Sequence, residues 1–454
     1  MSLVLSNKFE LITSFVIATL LSLSAAVALI NLPYDFNSIV VIDPAVRIYS
    51  GQILGEDFHS PIGATIIGSF ASGLILGDIK FSFLSYILTH FILLIAWKLI
   101  MRPPVIVFFM ALILGMYINA GAVSLASIYN HQGYFLVFLL TASIFSAFNY
   151  EALSKSQSIF IAILFIFLIF SKITFSFVSI GVMFVLLFSK HAKLGYVSLA
   201  LIIPSLLLFP NYWEMQLKFI DINLANPSYL NLDSFKEIFW LFFGSSGKYS
   251  FLVFLIFASV LYLLSIKKYL LALTIGLSYL MNIAIEQTIQ QPSNYMYSLA
   301  VFSFLSYENK NKLFKDISLV VLGVIFSIYS LPTFENFLPN SRVAYHGFKT
   351  RLNPSSCFNL NAMPSKFIQV GRIGFDESII DVNNWSKNIP TYWHYKTTFN
   401  DKTYWKLDDV DLIFIDDNAM KSSVDSFLRI YKDKLDDYKK IVSNECTLYM
   451  RYKK

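Results

Sequence analysis

Apolar stretches recur along most of this chain, and they constrain its fold more than any other feature. They lie near residues 11–30, 61–77, 82–97, 104–121, 134–149, 158–171, 174–189, 194–210, 249–265, 269–285, 293–306 and 313–332. Hydrophobic residues make up 56% of the chain and charged residues 14%, a balance far from that of a soluble domain. Since about 20 apolar residues cross a bilayer as a helix, residues 1–332 predict a mainly α, polytopic transmembrane bundle of about 11–13 helices.

The basic residues indicate which loops face the cytoplasm. Many lie in short clusters between apolar stretches, namely Lys98 and Arg102, Lys190 and Lys193, Lys267 and Lys268, Lys310 and Lys312. Such clusters are typical of solvated cytoplasmic loop ends, and a net charge of +6 gives no sign of a nucleic-acid partner. The same rule places the acidic first loop, residues 32–60, outside. The basic clusters also place the chain after residue 332 outside, and twelve complete crossings cannot satisfy both placements. We therefore expect that the glycine-containing stretch 61–77 does not cross the membrane completely; the alternative is a miscounted helix elsewhere.

From about residue 333 the chain changes to short alternating segments. SKFIQVGRI, DLIFIDD and CTLYMRYK alternate as strands do, and VDSFLRIYKDKLDDYKKI has helical spacing. Residues 333–454 therefore predict a small α/β domain, which the charge rule places outside the cytoplasm. Cys357 and Cys446 both lie in this domain. They either form a disulfide, as an oxidising compartment permits, or are two unrelated thiols.

Residues 211–247 mix aromatic residues with isolated charges between two apolar stretches. This composition predicts an interfacial loop with one or two amphipathic helices that lie on the bilayer surface. The alternative is a simple connector, although connectors are usually only a few residues long. Membrane lipids are therefore expected partners of this segment.

The first loop concentrates ionisable residues beside the membrane. Asp43, Arg47, Glu56, Asp57 and His59 lie between two apolar stretches, and the proline after Asp43 predicts that a helix starts there. On such a helix Asp43 and Arg47 share a face and can pair. Two carboxylates at one membrane surface can deprotonate a sugar hydroxyl and position a cation or phosphate. The alternative is a capping aspartate with solvated charges around it.

This loop resembles the first extracytoplasmic loop of the glycosyltransferase C superfamily. There an acidic residue opens a juxtamembrane helix and Asp-Phe-x-x-Pro closes the loop, as Asp43 and GEDFHSP (residues 55–61) do here. The segments DLIFIDD and TLYMRYK also resemble the terminal domain of many members. Members are integral membrane enzymes that use polyprenyl-phosphate-linked sugars as donors. The resemblance implies an inverting glycosyltransferase in which Asp43 is the catalytic base and Asp57 is the second acidic site residue.

Lys172 interrupts two short apolar runs in IFIAILFIFLIFSKITFSF. A similarly placed cation in the superfamily faces the donor phosphate, so the resemblance implies that Lys172 binds this phosphate. Arg47 of the first loop is a second candidate for the same phosphate. A lone cation at bilayer depth needs an anionic partner, and a lipid phosphate supplies one. The alternative is that Lys172 extends to the membrane interface and is solvated there.

Further polar residues lie near the ends of apolar stretches on the expected outer side. Asn130, His131, Gln132 and Glu286 join Glu56 and His59 as candidates for binding the acceptor or the sugar, and the alternative is that they are ordinary interfacial residues. Asp57 and His59 form a weak metal-binding pattern. No cofactor is therefore assigned, and the binding of a divalent metal ion is left as an alternative.

Missing motifs narrow the function. The sequence has no Gly-rich phosphate loop, His-Glu-x-x-His motif, cysteine ligand cluster or nucleophile elbow, so soluble nucleotide-sugar chemistry has no support. Pro44 replaces the second residue of the Asp-Glu pair of protein O-mannosyltransferases, and the Trp-Trp-Asp-x-Gly motif of oligosaccharyltransferases is absent. Donor and acceptor are therefore not inherited from either branch, and bacterial enzymes that modify lipopolysaccharide O-antigen are the nearest in general pattern.

We therefore predict a multi-pass transferase of the bacterial inner membrane. It moves a sugar from a polyprenyl-phosphate donor to a glycan or lipid-linked acceptor at the extracytoplasmic face. One alternative is an O-antigen polymerase or ligase, which the lack of arginine in 211–247 disfavours. The other is a non-enzymatic transporter of lipid-linked glycans, for which the sequence shows no internal repeat.

Overall fold

The computed structural model describes residues 2–30, 36–56, 60, 62–76, 80–120, 128–149, 153–189, 192–225, 247–269, 272–273, 275–276, 367–370, 392–393, 410–416, 428, 431–443 and 446–452. Within these residues the chain is mostly helical and carries a small sheet, which confirms the prediction of a mainly α fold.

The described helices follow the apolar stretches closely. They are α1 (Ser2–Ile30), α2 (Phe36–Tyr49), α3 (Ala64–Leu74), α4 (Lys80–Met101), α5 (Val105–Ala120), α6 (Ile128–Asn149), α7 (Lys155–Ile169), α8 (Ile173–Leu187), α9 (Ala192–Leu208), α10 (Pro210–Ala225) and α11 (Gly247–Ser265). Local sequence fixes several of their ends. At the start of α7 the Ser154 hydroxyl accepts the Gln157 N–H at 3.2 Å, and the Gln157 side chain accepts the Ser154 N–H at 2.9 Å, a reciprocal capping box.

Every predicted apolar stretch from 11–30 to 249–265 contains one of these helices. Two more helices, α2 and α10, occupy the first loop and the segment 211–247. The stretch 61–77 contains α3, whose 11 residues span about 16 Å, roughly half the hydrocarbon thickness of a bilayer. The incomplete crossing of 61–77 stays a prediction. The stretches 293–306 and 313–332, and most of 269–285, lie outside the described residues.

The helix of the first loop begins earlier than predicted. α2 starts at Phe36, so Asp43 lies inside it and the prediction that Asp43 opens the helix is wrong. Pro44 removes one backbone donor from the helix interior. The helix continues past it because the residues around Pro44 are tightly packed: Val41, Ile42, Ala45 and Val46 are all buried.

Among the described residues, one helix, Phe81–Met101, is by itself long and apolar enough to cross a membrane. The helix Ala192–Leu208 and the segment Pro210–Leu217 pass the same test together, but they are bent by 90° at the break between them. Where the side chains of the other apolar helices are described, the helical segments are shorter, such as Glu10–Ala26 within α1, His131–Ile144 within α6 and Lys155–Ile169. The described lengths thus show one or two candidate spans.

The helices pack around buried aromatic side chains. The ring of Phe70 on α3 contacts Phe83 and Tyr86 on α4, with centroids 5.3 and 5.2 Å apart. Further along α4, the buried Trp97 indole donates a hydrogen bond of 3.0 Å to the Ser143 hydroxyl on α6. These contacts make α4 the element on which α3 and α6 pack.

Lys98 is buried, although its place in a basic cluster predicts a solvated side chain at a loop end. Its side chain is buried, and its Nζ donates to Glu10 Oε1 at 2.7 Å and to the Pro103 carbonyl at 3.3 Å. The ammonium also lies 5.4 Å from the centre of the Phe108 ring. The prediction of solvation is therefore wrong for Lys98, because a carboxylate from α1 and a ring from α5 replace water.

The C-terminal region contains a five-stranded sheet with strand order β2-β1-β3-β5-β4. Its strands are β1 (Phe367–Val370), β2 (Tyr392–Trp393), β3 (Leu412–Asp416), β4 (Tyr438–Ser443) and β5 (Cys446–Arg451). β1 pairs in parallel with β2 and β3, whereas β5 pairs antiparallel with β3 and β4. The three predicted strands are confirmed as β1, β3 and β5.

The predicted C-terminal helix is partly wrong. Residues 431–435 are helical, but Asp436 and Asp437 form a turn and the following YKKIVS segment is β4. β4 pairs along its whole length with β5, from Tyr438 opposite Arg451 to Ser443 opposite Cys446. This ladder, together with two β-branched residues in IVS, outweighs the helical spacing of the segment.

Candidate functional site

Three segments that are far apart in the sequence meet at one place, which we call the junction. They are the return of the first loop into the start of α3 (residues 55–56, 60 and 62–65), the turn between α7 and α8 (residues 170–172) and the break before α10 with the start of that helix (residues 209–216). The Thr65 N–H donates to the Phe170 carbonyl at 3.0 Å, and the Thr65 hydroxyl donates to the Phe167 carbonyl at 2.8 Å. The first loop is thereby fixed to the turn that carries Lys172.

Tyr212 of α10 connects all three segments of the junction. Its hydroxyl lies 3.3 Å from the carbonyl oxygens of Phe170 and Ser171, to which it donates, and it accepts the Ala64 N–H at 3.5 Å. The ring is buried against Phe170, with centroids 5.4 Å apart. Next to it, the Ser60 N–H contacts the sulfur of the buried Met215 at 3.3 Å. A single side chain therefore ties the loop return, the turn and α10 together.

The predicted site residue Glu56 lies at the edge of the junction. It is exposed, and its Oε1 accepts a hydrogen bond of 3.1 Å from the Asn211 side chain on α10. The backbone also approaches α10 closely here: Gly55 has φ +93°, and a Cβ on it would lie 2.7 Å from the backbone nitrogen of Tyr212. The acceptor-binding candidate Glu56 is thus held by α10 rather than free in solvent.

Arg47 is buried in the last turn of α2, although the sequence placed it in a polar loop. It is 3% exposed, and its Nη1 donates to Gln52 Oε1 at 3.2 Å. The guanidinium of arginine presents several N–H donors in one plane, which suits the oxygens of carboxylates and phosphates. Asp43 lies one turn earlier on the same helix, and its side chain is outside the described residues, so the predicted pair of Asp43 with Arg47 stays a prediction.

Lys172 lies in the turn between α7 and α8, as the N-cap residue of α8. It is half-buried, and the loss of water around its ammonium lowers the pKa of Lys172 to about 8. The start of α8 adds the partial positive charge of a helix N-terminus to the lysine. An ammonium beside a helix N-terminus forms a place where a phosphate group is stabilised.

The start of α6 packs beside the start of α8. A Cβ on Gly133 would overlap the Phe175 ring, and the Tyr134 ring meets the same Phe175 edge-on at 5.2 Å. The predicted sugar-binding residues His131 and Gln132 are buried on this part of α6. The helix also contains Asn130, whose side chain lies outside the described residues. The polar end of α6 is thus close in space to the turn that carries Lys172.

Several predicted residues are not placed by the structure. Asp57, His59, Glu286 and Cys357 lie outside the described residues, and Cys446 is described only as the first residue of β5. The disulfide therefore stays a prediction. Among the residues that the structure describes, no group of three or more His, Cys, Asp or Glu side chains is arranged to hold a metal ion.

The role of α10 was not predicted from the sequence. Asn211, Tyr212 and Gln216 lie in the segment that was predicted only to rest on the bilayer surface. Their signal is the alternation of aromatic and polar residues in NYWEMQ, with the buried positions 212, 215 and 216 at helical spacing. Which elements this helix would contact is not visible in the sequence.

The arrangement can hold an anionic ligand that also carries hydroxyl groups. Lys172 and the start of α8 suit a phosphate, and the carboxylate of Glu56 accepts hydrogen bonds from hydroxyls.

No protein family, curated protein or solved structure matches this chain in comparisons with known proteins.

Proposed function

We propose that this chain is an integral membrane glycosyltransferase of the glycosyltransferase C type. It transfers a sugar from a polyprenyl-phosphate donor to a glycan or lipid-linked acceptor at the extracytoplasmic face of a bacterial inner membrane. Asp43 acts as the general base, and Lys172 and Arg47 stabilise the phosphate that leaves, where negative charge develops in the transition state. No metal ion is assigned to this reaction.

The junction is the observation that carries this proposal. The resemblance assigns the base to the first loop and the phosphate-binding cation to the turn before α8, which are distant in the sequence. A transfer reaction requires both groups to face one substrate. The hydrogen bonds from Thr65 to Phe170 and Phe167 join these two segments directly.

Apolar side chains on the outer faces of the helices support a membrane environment. On α1 the exposed apolar residues recur at helical spacing and form a continuous stripe: Leu11, Ile12, Phe15, Val16, Leu20 and Leu23. On α4 a second stripe consists of Phe81, Leu84, Leu88, Ile92 and Leu99. Soluble monomers rarely expose contiguous apolar surfaces of this kind. Lipid tails are the solvent that such stripes fit.

The bend between α9 and α10 supports an active site at the membrane surface. If α9 crosses the bilayer, the 90° bend directs α10 along its surface. The buried side of α10 then faces the first loop and the Lys172 turn, as the contacts of Tyr212 require. A polyprenyl-phosphate donor has its phosphate at this depth and its chain in the bilayer. A junction at this depth would meet both the phosphate and its sugar, which supports the proposal.

A conservative change of the proposed base tests the function. In the source cell, the gene is deleted and complemented with the wild type or with Asp43→Asn, and the surface glycan is analysed by mass spectrometry. We expect Asp43→Asn to reduce the modification by about 10²–10⁴-fold at normal protein levels, the usual contribution of a general base. The matched control is Asp411→Asn, which makes the same chemical change at an exposed residue before β3. An unaltered glycan in the Asp43→Asn strain would contradict the proposal.

A further inference from the structure

Two polar groups on α10 have no hydrogen-bond partner in the part of the chain that the structure describes. Gln216 is 0% exposed, and neither the oxygen nor the nitrogen of its amide is hydrogen-bonded. The indole N–H of Trp213 is also buried and also lacks a hydrogen-bond partner among the described residues. Residues three apart lie on the same side of a helix. The two groups therefore belong to one face of α10.

An unpaired buried amide lowers stability, because the unfolded chain hydrogen-bonds it to water and the folded chain does not. Native proteins pair nearly all buried polar groups with protein atoms, water or a ligand. A leucine of similar size would fill the position of Gln216 without this cost. Since the described residues supply no partner, the amide and the indole together indicate that this face of α10 binds a polar ligand.

The surroundings of the two groups define the chemistry of this partner. Phe170, Tyr212 and Trp213 form an aromatic cluster whose ring centroids lie 5.8 Å (Phe170 to Trp213), 5.4 Å (Phe170 to Tyr212) and 5.2 Å (Tyr212 to Trp213) apart. An amide both donates and accepts hydrogen bonds, an indole donates, and aromatic faces pack against C–H groups. A sugar ring offers both hydroxyls and apolar C–H faces. A bare phosphate, which mainly accepts hydrogen bonds, does not match the amide oxygen.

We propose that Trp213 and Gln216 form a sugar-recognition site, in which the indole and the amide hydrogen-bond to hydroxyls of the sugar that the polyprenyl phosphate carries. This inference rests on the proposed function, since that function supplies the donor. Phe170 contacts the Trp213 ring, and Lys172 lies two residues further along the same turn. One ligand can therefore place its phosphate at Lys172 and its sugar at α10.

Binding of sugar-loaded and sugar-free lipid by the full-length protein tests the inference. The protein is reconstituted in lipid nanodiscs, and its affinity is measured for polyprenyl phosphate and for polyprenyl phosphates that carry a hexose, a deoxyhexose or an N-acetylhexosamine. We expect the wild type to bind one loaded lipid more tightly than the sugar-free lipid. Gln216→Leu should reduce this preference roughly tenfold, the effect of losing one or two hydrogen bonds. Trp213→Phe, which keeps a ring and removes the N–H, should reduce it in the same direction.

Thermal unfolding separates this role from a purely structural one. Gln216→Leu should unfold at the same or a higher temperature than the wild type, because it removes an unpaired buried amide. The control is Ser82→Ala on α4. The buried Ser82 hydroxyl also lacks a partner among the described residues, and its removal should leave the lipid preference unchanged. A preference that survives in Gln216→Leu, or a wild type without any preference, overturns the inference while the proposed function stands. A wild type that binds no polyprenyl phosphate overturns both.

Discussion

Gly63 lies so close to Ser171 that a Cβ added to the glycine would overlap the carbonyl carbon of the serine. The two backbones are therefore in direct contact, just before α3 and just before Lys172. Such a contact is more rigid than one between side chains, because backbone atoms have no rotamers with which to adapt. The position of Lys172 relative to the first loop is thus set mainly by backbone packing.

Replacing Gly63 should disrupt this contact. Gly63→Ala forces the start of α3 away from the turn and strains the nearby Thr65 hydrogen bonds, so we expect a loss of about 1–3 kcal/mol in the free energy of unfolding, as overpacking typically causes. Gly68→Ala is the matched control, because it lies on α3 and a Cβ there meets nothing within 4 Å. Helix propensity predicts that this control is neutral or stabilising by up to about 1 kcal/mol. Thermal unfolding of the purified variants measures both, and equal unfolding temperatures would contradict the packing.

The approach of Gly55 to α10 gives a second prediction. Gly55→Ala and Gly51→Ala both place a side chain at positive φ, +93° and +85°, which costs about 1–2 kcal/mol at each position. A Cβ on Gly55 also meets the backbone of Asn211 and Tyr212, whereas one on Gly51 meets nothing within 4 Å. Gly55→Ala should therefore be the more destabilising variant and should also lose transferase activity. If Gly51→Ala unfolds at the lower temperature, α10 does not pack on the loop return as described.

The helical part of the fold was predictable because apolar stretches leave few alternatives to a helix. The start of α2 was not predictable, because proline prefers the first turn of a helix and Pro44 therefore indicated a helix that begins there. In the structure the helix continues through Pro44, since Val41 and Val46 on either side of it are buried in the core. The same conflict appears in β4, where pairing with β5 overrides the helical spacing of YKKI. Both errors arise because long-range contacts outweigh local preferences.

The site was predictable only as separate pieces. Residue chemistry singled out Lys172, Arg47 and Glu56, because charges beside apolar stretches are costly without a function. The sequence did not reveal that α10 connects the loop return at Glu56 to the turn that carries Lys172, since the contacts of Tyr212 reach residues about 40 and 150 positions away along the chain. A single sequence carries no signal for pairs of this separation. The structure therefore adds the junction rather than new kinds of residue.

The hydroxyl of Tyr212 should matter more than its ring. Tyr212→Phe keeps the aromatic contacts but removes the hydroxyl partner of the Ser171 carbonyl and of the Ala64 N–H, whereas the Phe170 carbonyl keeps the Thr65 N–H. We expect a loss of about 1–3 kcal/mol in the free energy of unfolding, the usual cost of an unsatisfied buried polar group. Tyr196→Phe on α9 is the control, because Tyr196 is exposed and should change stability by less than about 0.5 kcal/mol. Chemical denaturation measures the free energy of unfolding of both variants. Equal values would show that the Tyr212 hydroxyl does not connect the three segments.

The pKa of Lys172, about 8, predicts how phosphate binding depends on pH. Only the protonated ammonium attracts the lipid phosphate, so affinity for polyprenyl phosphate should stay nearly constant up to about pH 7 and fall progressively above it, approaching a tenfold loss per pH unit once the lysine has lost its proton. The phosphate itself is almost fully ionised there, because its second pKa is about 6. Lys172→Arg keeps its charge at every pH in this range and should abolish the decline, even if its overall affinity differs. Binding measured from pH 7 to 10 on both proteins tests this, and a wild-type profile that matches the flat profile of the arginine variant would show that Lys172 does not hold the phosphate.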